Sequence, residues 1–312
     1  MPAKIKIDAK RLSDLANELA YKGLELKETK AQSLNTFDSF IGYAKGDKIV
    51  LFQSDDESPT LLHKAFIKKV TVLSEGLVWC AALEKLAAYA KSYGKSDVTV
   101  GFTNSITFKT GKPGEHDKSF ANIVIKECTA ANKAKAMFDN LMIETDEVKD
   151  KDGNVFDIVI NTTSEEIQKI VEDTKLVGGT YFPISIKTVD GKPKLHISVK
   201  NSTDSSERDL EAEIKGVDGE FRQEYSYGFD PVFSNLSGKV EIRLSKTIPL
   251  MIVKSEGENE FHRFVIAPKA EDDEKEEQEE SAGEGNEVGG ENDGTENEAS
   301  FEDLKEENAK DE

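Results

Sequence analysis

Phe264-Val265-Ile266-Ala267-Pro268-Lys269 ends a stretch, Ser226 to Lys269, that sets the pattern for the whole chain. Phe229-Asp-Pro-Val-Phe-Ser-Asn-Leu236 suits a brief helix, because Asp230 can cap it and Pro231 fits the first helical position. Gly238 ends it. Lys239 to Leu244 alternates apolar and polar residues, as a half-buried strand does. Ile248 to Val253 and Phe261 to Ile266 read as two further strands around a turn at Glu256 to Asn259. Past Lys269 the chain becomes almost wholly acidic.

Working outward, the same order recurs. Lys4 to Asp8 is a short strand, and Lys10 to Lys22 places Leu12, Leu15, Ala16, Leu19 and Ala20 on one helical face. Ser39 to Ala44, Lys48 to Phe52 and Pro59 to Lys69 read as three strands. After Val70 to Cys80 comes a helix over Ala82 to Tyr93 that buries Leu83, Leu86, Ala87 and Ala90, with Gly94 as its stop. Asp97 to Phe102, Ser105 to Lys109 and Ser119 to Lys126 are three more strands. Phe156 to Ile160 then begins the order again. Thr163-Ser-Glu-Glu166 is a capping box that opens a helix with Ile167, Ile170, Val171 and Thr174 inward. Tyr181 to Val189, Lys192 to Lys200 and Glu207 to Gly216 are its strands, and Phe221 to Tyr227 leads back to the opening stretch.

The reading is an α+β chain of four βαβββ units, two to a domain. Residues 1–127 and 156–269 form the domains, 128–155 connect them, and 270–312 form an acidic tail. An internal repeat outranks any local motif as a fold signal.

The formal net charge of −20 is uneven. Residues 270–312 hold 20 Asp/Glu and 3 Lys, against 41 acidic and 38 basic residues before them. A segment of that charge with Phe301 as its only aromatic cannot bury enough surface to fold. The two cysteines, Cys80 and Cys128, give no disulfide framework and suit a reducing compartment. His63, His116, His196 and His262 show no metal-ligand spacing. No apolar run reaches a membrane span and the N-terminus has no signal-peptide core. No phosphate loop, Cys-His pair or nucleophile elbow is present, so no catalytic residue, metal or cofactor is expected.

Pro249-Leu250, the Glu256 to Asn259 turn and Val265-Ile266-Ala267-Pro268-Lys269 resemble the carboxyl end of DNA sliding clamps of the proliferating-cell nuclear antigen type. The resemblance covers residues 4–269. It implies helices lining a ring, sheets outside, and a processivity factor that encircles duplex DNA. Such a ring would tether a DNA polymerase and other clamp-binding proteins through short apolar peptides, and a clamp loader would open it. It implies an intracellular place beside the replication machinery, in cytoplasm or nucleus. Helices are about 10 Å wide, so twelve side by side leave a hole of roughly 28 Å and eight leave about 15 Å. Duplex DNA is roughly 20 Å wide, which favours three copies of a two-domain chain.

The resemblance also implies sites. Met137, Leu141 and Ile143 of the connector, with Pro249, Val265, Ile266, Ala267 and Pro268, would form an apolar pocket for partner peptides. Arg11, Lys22, Lys85, Lys91, Lys169 and Lys175 would face DNA without reading bases. Ser119–Lys126 of one subunit would pair with Glu207–Gly216 of the next, through Phe120, Ile123, Ile125, Leu210, Ala212 and Ile214. The alternatives are a subunit of a heteromeric ring, a virus-encoded clamp that acts as a monomer, or a β-repeat structural protein without DNA function.

Overall fold

The computed structural model describes residues 1–20, 37, 39–54, 61–111, 114, 116–122, 134–137, 139, 149, 152–178, 181–201, 203–217, 219–226, 236–248 and 250–268. All of these lie in one unit, Met1–Ala270. The expectations for the helix at 229–236 and for the tail fall outside the described residues.

Asp8 ends β1 (Lys4–Asp8) and starts α1 (Ala9–Leu19), because its carboxylate accepts the Arg11 N–H at 2.8 Å. Leu12, Leu15, Ala16 and Leu19 are buried, as their spacing predicts. Three strands follow: β2 (Phe40–Lys45), β3 (Lys48–Ser54) and β4 (Leu61–Ile67). After β5 (Thr71–Ser74) and β6 (Gly76–Cys80) comes α2 (Leu83–Lys91), which buries the four expected residues. The first half closes with β7 (Asp97–Phe102), β8 (Ser105–Lys109) and β9 (Lys118–Ala121).

The second half repeats this. After β10 (Ile158–Thr163), the Thr163 hydroxyl accepts the Glu166 N–H and starts α3 (Ser164–Val177). Gly178 ends α3 with φ +66°, a left-handed turn that glycine adopts without strain. Then come β11 (Tyr181–Val189), β12 (Lys192–Lys200), β13 (Ser205–Leu210), β14 (Glu213–Lys215) and β15 (Phe221–Ser226). The last strands are β16 (Lys239–Leu244), β17 (Met251–Glu256) and β18 (Glu260–Ile266).

The first half builds a five-stranded array, β5-β1-β7-β8-β9, and the second half builds its counterpart, β14-β10-β16-β17-β18. Each half also builds a four-stranded array, β4-β3-β2-β6 and β13-β12-β11-β15. One further pairing joins the halves. β18 lies antiparallel to β4 over seven residue pairs, from Glu260↔Ile67 to Ile266↔Leu61, and fuses two arrays into a nine-stranded sheet. Side chains also cross this seam: Ile248, Ile252 and Val265 enter the first core, and Phe37 and Leu61 enter the second.

Three strand expectations need correcting. Glu207–Gly216 is two strands in different sheets, β13 and β14, with a corner at Glu211-Ala212. The Glu211 carbonyl accepts from the Thr162 hydroxyl at 2.7 Å, and its N–H donates to Glu166 at 3.2 Å. The alternation Leu210, Ala212, Ile214 runs on through this corner, so pattern alone does not reveal it. The four-unit repeat also lacked β5 and β14, each of which flanks the first strand of its half. Finally, β17 starts at Met251 rather than Ile248, because Ile248 belongs to a turn in which its N–H donates to the Ser245 hydroxyl at 3.3 Å.

Candidate functional site

Residues directly opposite in an antiparallel ladder share a face of the sheet. Glu241, Lys254, Arg263, Lys64 and Phe52 stand opposite one another in turn from β16 to β3. Beside this row, and on the same face, Ile252, Val265 and Leu62 form an apolar strip across β17, β18 and β4. All three are buried. Residues 134–137 lie against this face. They are helical, Lys135 places its ammonium 5.9 Å from the Phe52 ring centre, and Ala134 is fully buried. Met137 packs against the apolar cluster that contains Ile252 and Val265.

Some of the residues expected to line a peptide pocket lie on this face or at its edge. Val265 and Met137 share one apolar cluster, and Ala267 and Pro268 lie half-buried at the end of β18. Ile266 does not join them. Successive strand residues point to opposite faces, so Ile266 enters the second core with no exposure. Leu141, Ile143 and Pro249 lie outside the described residues.

The cations of the row are held. Lys254 reaches Glu241 at 3.4 Å, and burial lowers its pKa. Arg263 reaches Glu256 at 3.5 Å and donates to the His262 carbonyl at 3.0 Å. The Lys64 ammonium stands 5.1 Å from the ring centres of both Phe52 and Phe66.

Of the residues expected to face DNA, Lys85 and Lys91 are exposed on α2. Lys169 is half-buried and donates to Glu166 at 2.5 Å. Arg11, the residue of α1 expected to face DNA, reaches back onto the chain. Its guanidinium donates to the Lys68 and Lys69 carbonyls at 2.8 and 3.1 Å and lies 3.8 Å from Glu260. Lys22 and the Lys175 side chain lie outside what is described. The exposed face of α1 carries Asp14 and Glu18. Partial desolvation against the chain, then the neighbouring Glu260 carboxylate, push Glu18 up to about 7.

Among the described residues the expected interface strands are both sheet edges: β9 pairs only with β8, and β13 only with β12. Phe120 and Leu210 point from them into the two cores. Ala212 sits at the corner and Ile214 in β14, a different sheet from β13, so these two do not extend the β13 edge. Ile123 and Ile125 lie outside the described residues.

Two groups were not anticipated from the sequence. Asp173 of α3 clamps Arg208 of β13 through two hydrogen bonds, one of 2.7 Å. That contact holds the Asp173 carboxyl below its ordinary range. At the seam, Gln53 donates to the Leu19 and Ser39 carbonyls at 3.1 and 3.0 Å, so its Oε1 accepts from His63 Nδ1 at 2.9 Å. His63 Nε2 then accepts from His262 Nδ1 at 3.0 Å. Burial pushes His63 well below its usual pKa and His262 down to about 4, so both rings are neutral. Histidines 199 residues apart leave no local signal, and the alignment exists only once β4 and β18 are paired.

Among the described residues, no group of three or more His, Cys, Asp or Glu could hold a metal ion. No helix among them is long and apolar enough to cross a membrane.

Two arrays per half, helices α1 and α2 packed together, and a sheet fused across the halves define the fold of a DNA sliding clamp. Solved structures with this fold include the proliferating cellular nuclear antigen of Entamoeba histolytica, with a TM-score of 0.58 and 14% identity. That match covers 86% of this chain and 99% of the other. The DNA polymerase III subunit beta of Pseudomonas aeruginosa matches with a TM-score of 0.58 and 10% identity, over 85% of this chain. This chain spans 65% of the length of that bacterial subunit. No protein-family model and no curated protein sequence matches the chain.

Proposed function

We propose that this chain is a DNA polymerase processivity factor, a homotrimeric ring of clamp domains 1–127 and 156–269 that encircles duplex DNA. It acts without catalysing a reaction. It tethers a polymerase and other DNA enzymes through short apolar peptides, depends on a loader for opening, and works inside the cell beside the replication machinery. The observation that carries this reading is the pair of unfilled edges. Within the chain, β18 of one half pairs with β4 of the other. Among the described residues, their counterparts β9 and β13 have no partner on their outer sides. A second copy supplies one, and repeated pairing closes a ring while removing the aggregation hazard of open edges.

Light scattering combined with a processivity assay tests this. A mass of three chains and longer products on primed DNA are expected. A one-chain mass at tens of micromolar, with product length unchanged, would overturn the proposal.

A further inference from the structure

We infer that partner peptides carry an acidic side chain about three residues from their apolar anchors, and that it seats against Arg243 and Lys254 in a polar groove of the nine-stranded sheet. The inference rests on the peptide-tethering reading above and names what such a peptide needs beyond its anchors.

The groove runs over β10, β16, β17 and β18 and encloses about 890 Å3. It adjoins the apolar strip on the same face of the sheet. Arg243 stands opposite Ile252, and Ile252 stands opposite Val265. Lys254 and Arg263 stand opposite each other in the next row. Neighbouring strands lie about 4.8 Å apart, so two steps put Arg243 roughly 10 Å from Val265. An extended chain rises about 3.3 Å per residue and covers that distance in about three residues.

The groove's floor is short of negative charge. The side chains of Arg243, Lys254 and Arg263 are only 12 to 16% exposed. Arg243 Nε and Lys254 Nζ converge on one oxygen of Glu241, at 2.7 and 3.4 Å. Arg263 reaches Glu256 at 3.5 Å, but that carboxylate is 59% exposed and its charge is screened by water. Three cations therefore share two carboxylates, of which only Glu241 lies among them. Burial lowers the Lys254 pKa, and the Arg243 and Arg263 charges lower it further against the pull of Glu241. Among the described residues Arg243 donates only through Nε, so its two Nη groups remain for a charge-assisted pair with a carboxylate.

The far wall of the groove decides between occupants. Glu166, Glu211 and Glu213 line it. A nucleic-acid strand, with a charge on every phosphate, would meet these carboxylates as soon as it reached the cations. A peptide can place one acid on the floor and leave neutral or basic residues towards the far wall. Cations on the floor and acids on the wall thus favour a peptide with a single acid and reject a polyanion.

Calorimetry of the full chain with synthetic peptides tests this. Each peptide carries the same two apolar anchors, with Glu about three residues before them, Glu about three residues after them, or Lys at both places. One of the Glu peptides is expected to bind about ten-fold more tightly than the Lys peptide, with the gap shrinking as salt is raised. Arg243→Gln with Lys254→Gln is expected to close the gap and leave the affinity of the Lys peptide unchanged. Thermal melts check that this double variant folds; if it does not, Arg243→Gln alone should narrow the gap about three-fold. Equal binding of Glu and Lys peptides, or a gap that survives the substitutions in a folded protein, would overturn the inference. Displacement of the Glu peptide by a single-stranded oligonucleotide, lost in the double variant, would give the groove to nucleic acid and overturn it too. Failure of every peptide to bind would remove the peptide reading itself, and this inference with it.

Discussion

His63 and His262 meet across the seam with Nε2 of the first 3.0 Å from Nδ1 of the second, and neither carries a charge. A buried neutral histidine resists protonation when folded but not when unfolded. The unfolded chain therefore binds the extra proton first as pH falls below about 6.5, so stability is full above that value and declines towards about 4. For His262 alone the loss reaches roughly 3 kcal/mol at the acid end. Urea melts at pH 7.5, 6 and 5 should show the decline. His262→Asn, which keeps a donor towards His63 without titrating, should flatten it. An unchanged slope in that variant would place the proton uptake elsewhere.

Glu18 gives the opposite sign. Its folded pKa is raised to about 7, so the folded chain holds a proton that the unfolded chain has released above about 4.5. Stability drawn from that proton is lost as pH rises through 7. Glu18→Gln should therefore stabilise the protein at pH 8. Because the side chain is exposed, the gain should be about 1 kcal/mol or less. Thermal melts of the two proteins at pH 5.5 and pH 8 provide the comparison, and a benefit confined to pH 5.5 would contradict it.

Charge reversal at Lys85 and Lys169 together should shorten polymerase products on primed DNA. Both lie away from the apolar faces of their helices, so stability should change by under ~1 kcal/mol. Arg11 is unsuitable for this test because its guanidinium tethers α1 to the backbone at Lys68 and Lys69. Unchanged product length from a folded double variant would turn these helices away from the duplex.

For partner peptides, Ala267→Ser with Pro268→Ser should weaken binding of an apolar polymerase peptide by about ten-fold with little loss of stability, since both positions are half-buried. Ile266→Ser should instead destabilise the fold by roughly 2–4 kcal/mol, because that side chain lies in the second core. Calorimetry on the folded double variant decides the first claim, and wild-type affinity there would move the peptide site off the end of β18.

The cores and helices were legible because burial repeats with a period. Leu83, Leu86, Ala87 and Ala90, and the Thr163 cap of α3, fall where spacing and capping chemistry place them. Relations between distant strands were not legible. The corner at Glu211-Ala212 keeps the alternation intact, and only the change of sheet reveals it. Val265 and Ile266 read alike as apolar residues, yet one belongs to the outer strip and the other to the second core. The row of Lys254, Arg263 and Lys64 comes from three strands and forms only in the register of the seam.

The nine-stranded sheet has a mechanical consequence. β4 and β18 could slide past each other only if the whole ladder from Glu260 to Ile266 released together. The side-by-side halves should thus bend little at their junction and transmit force as a single stiff plate. Any flexing of the molecule is left to element ends and loops, which can absorb changes in φ and ψ without breaking a ladder.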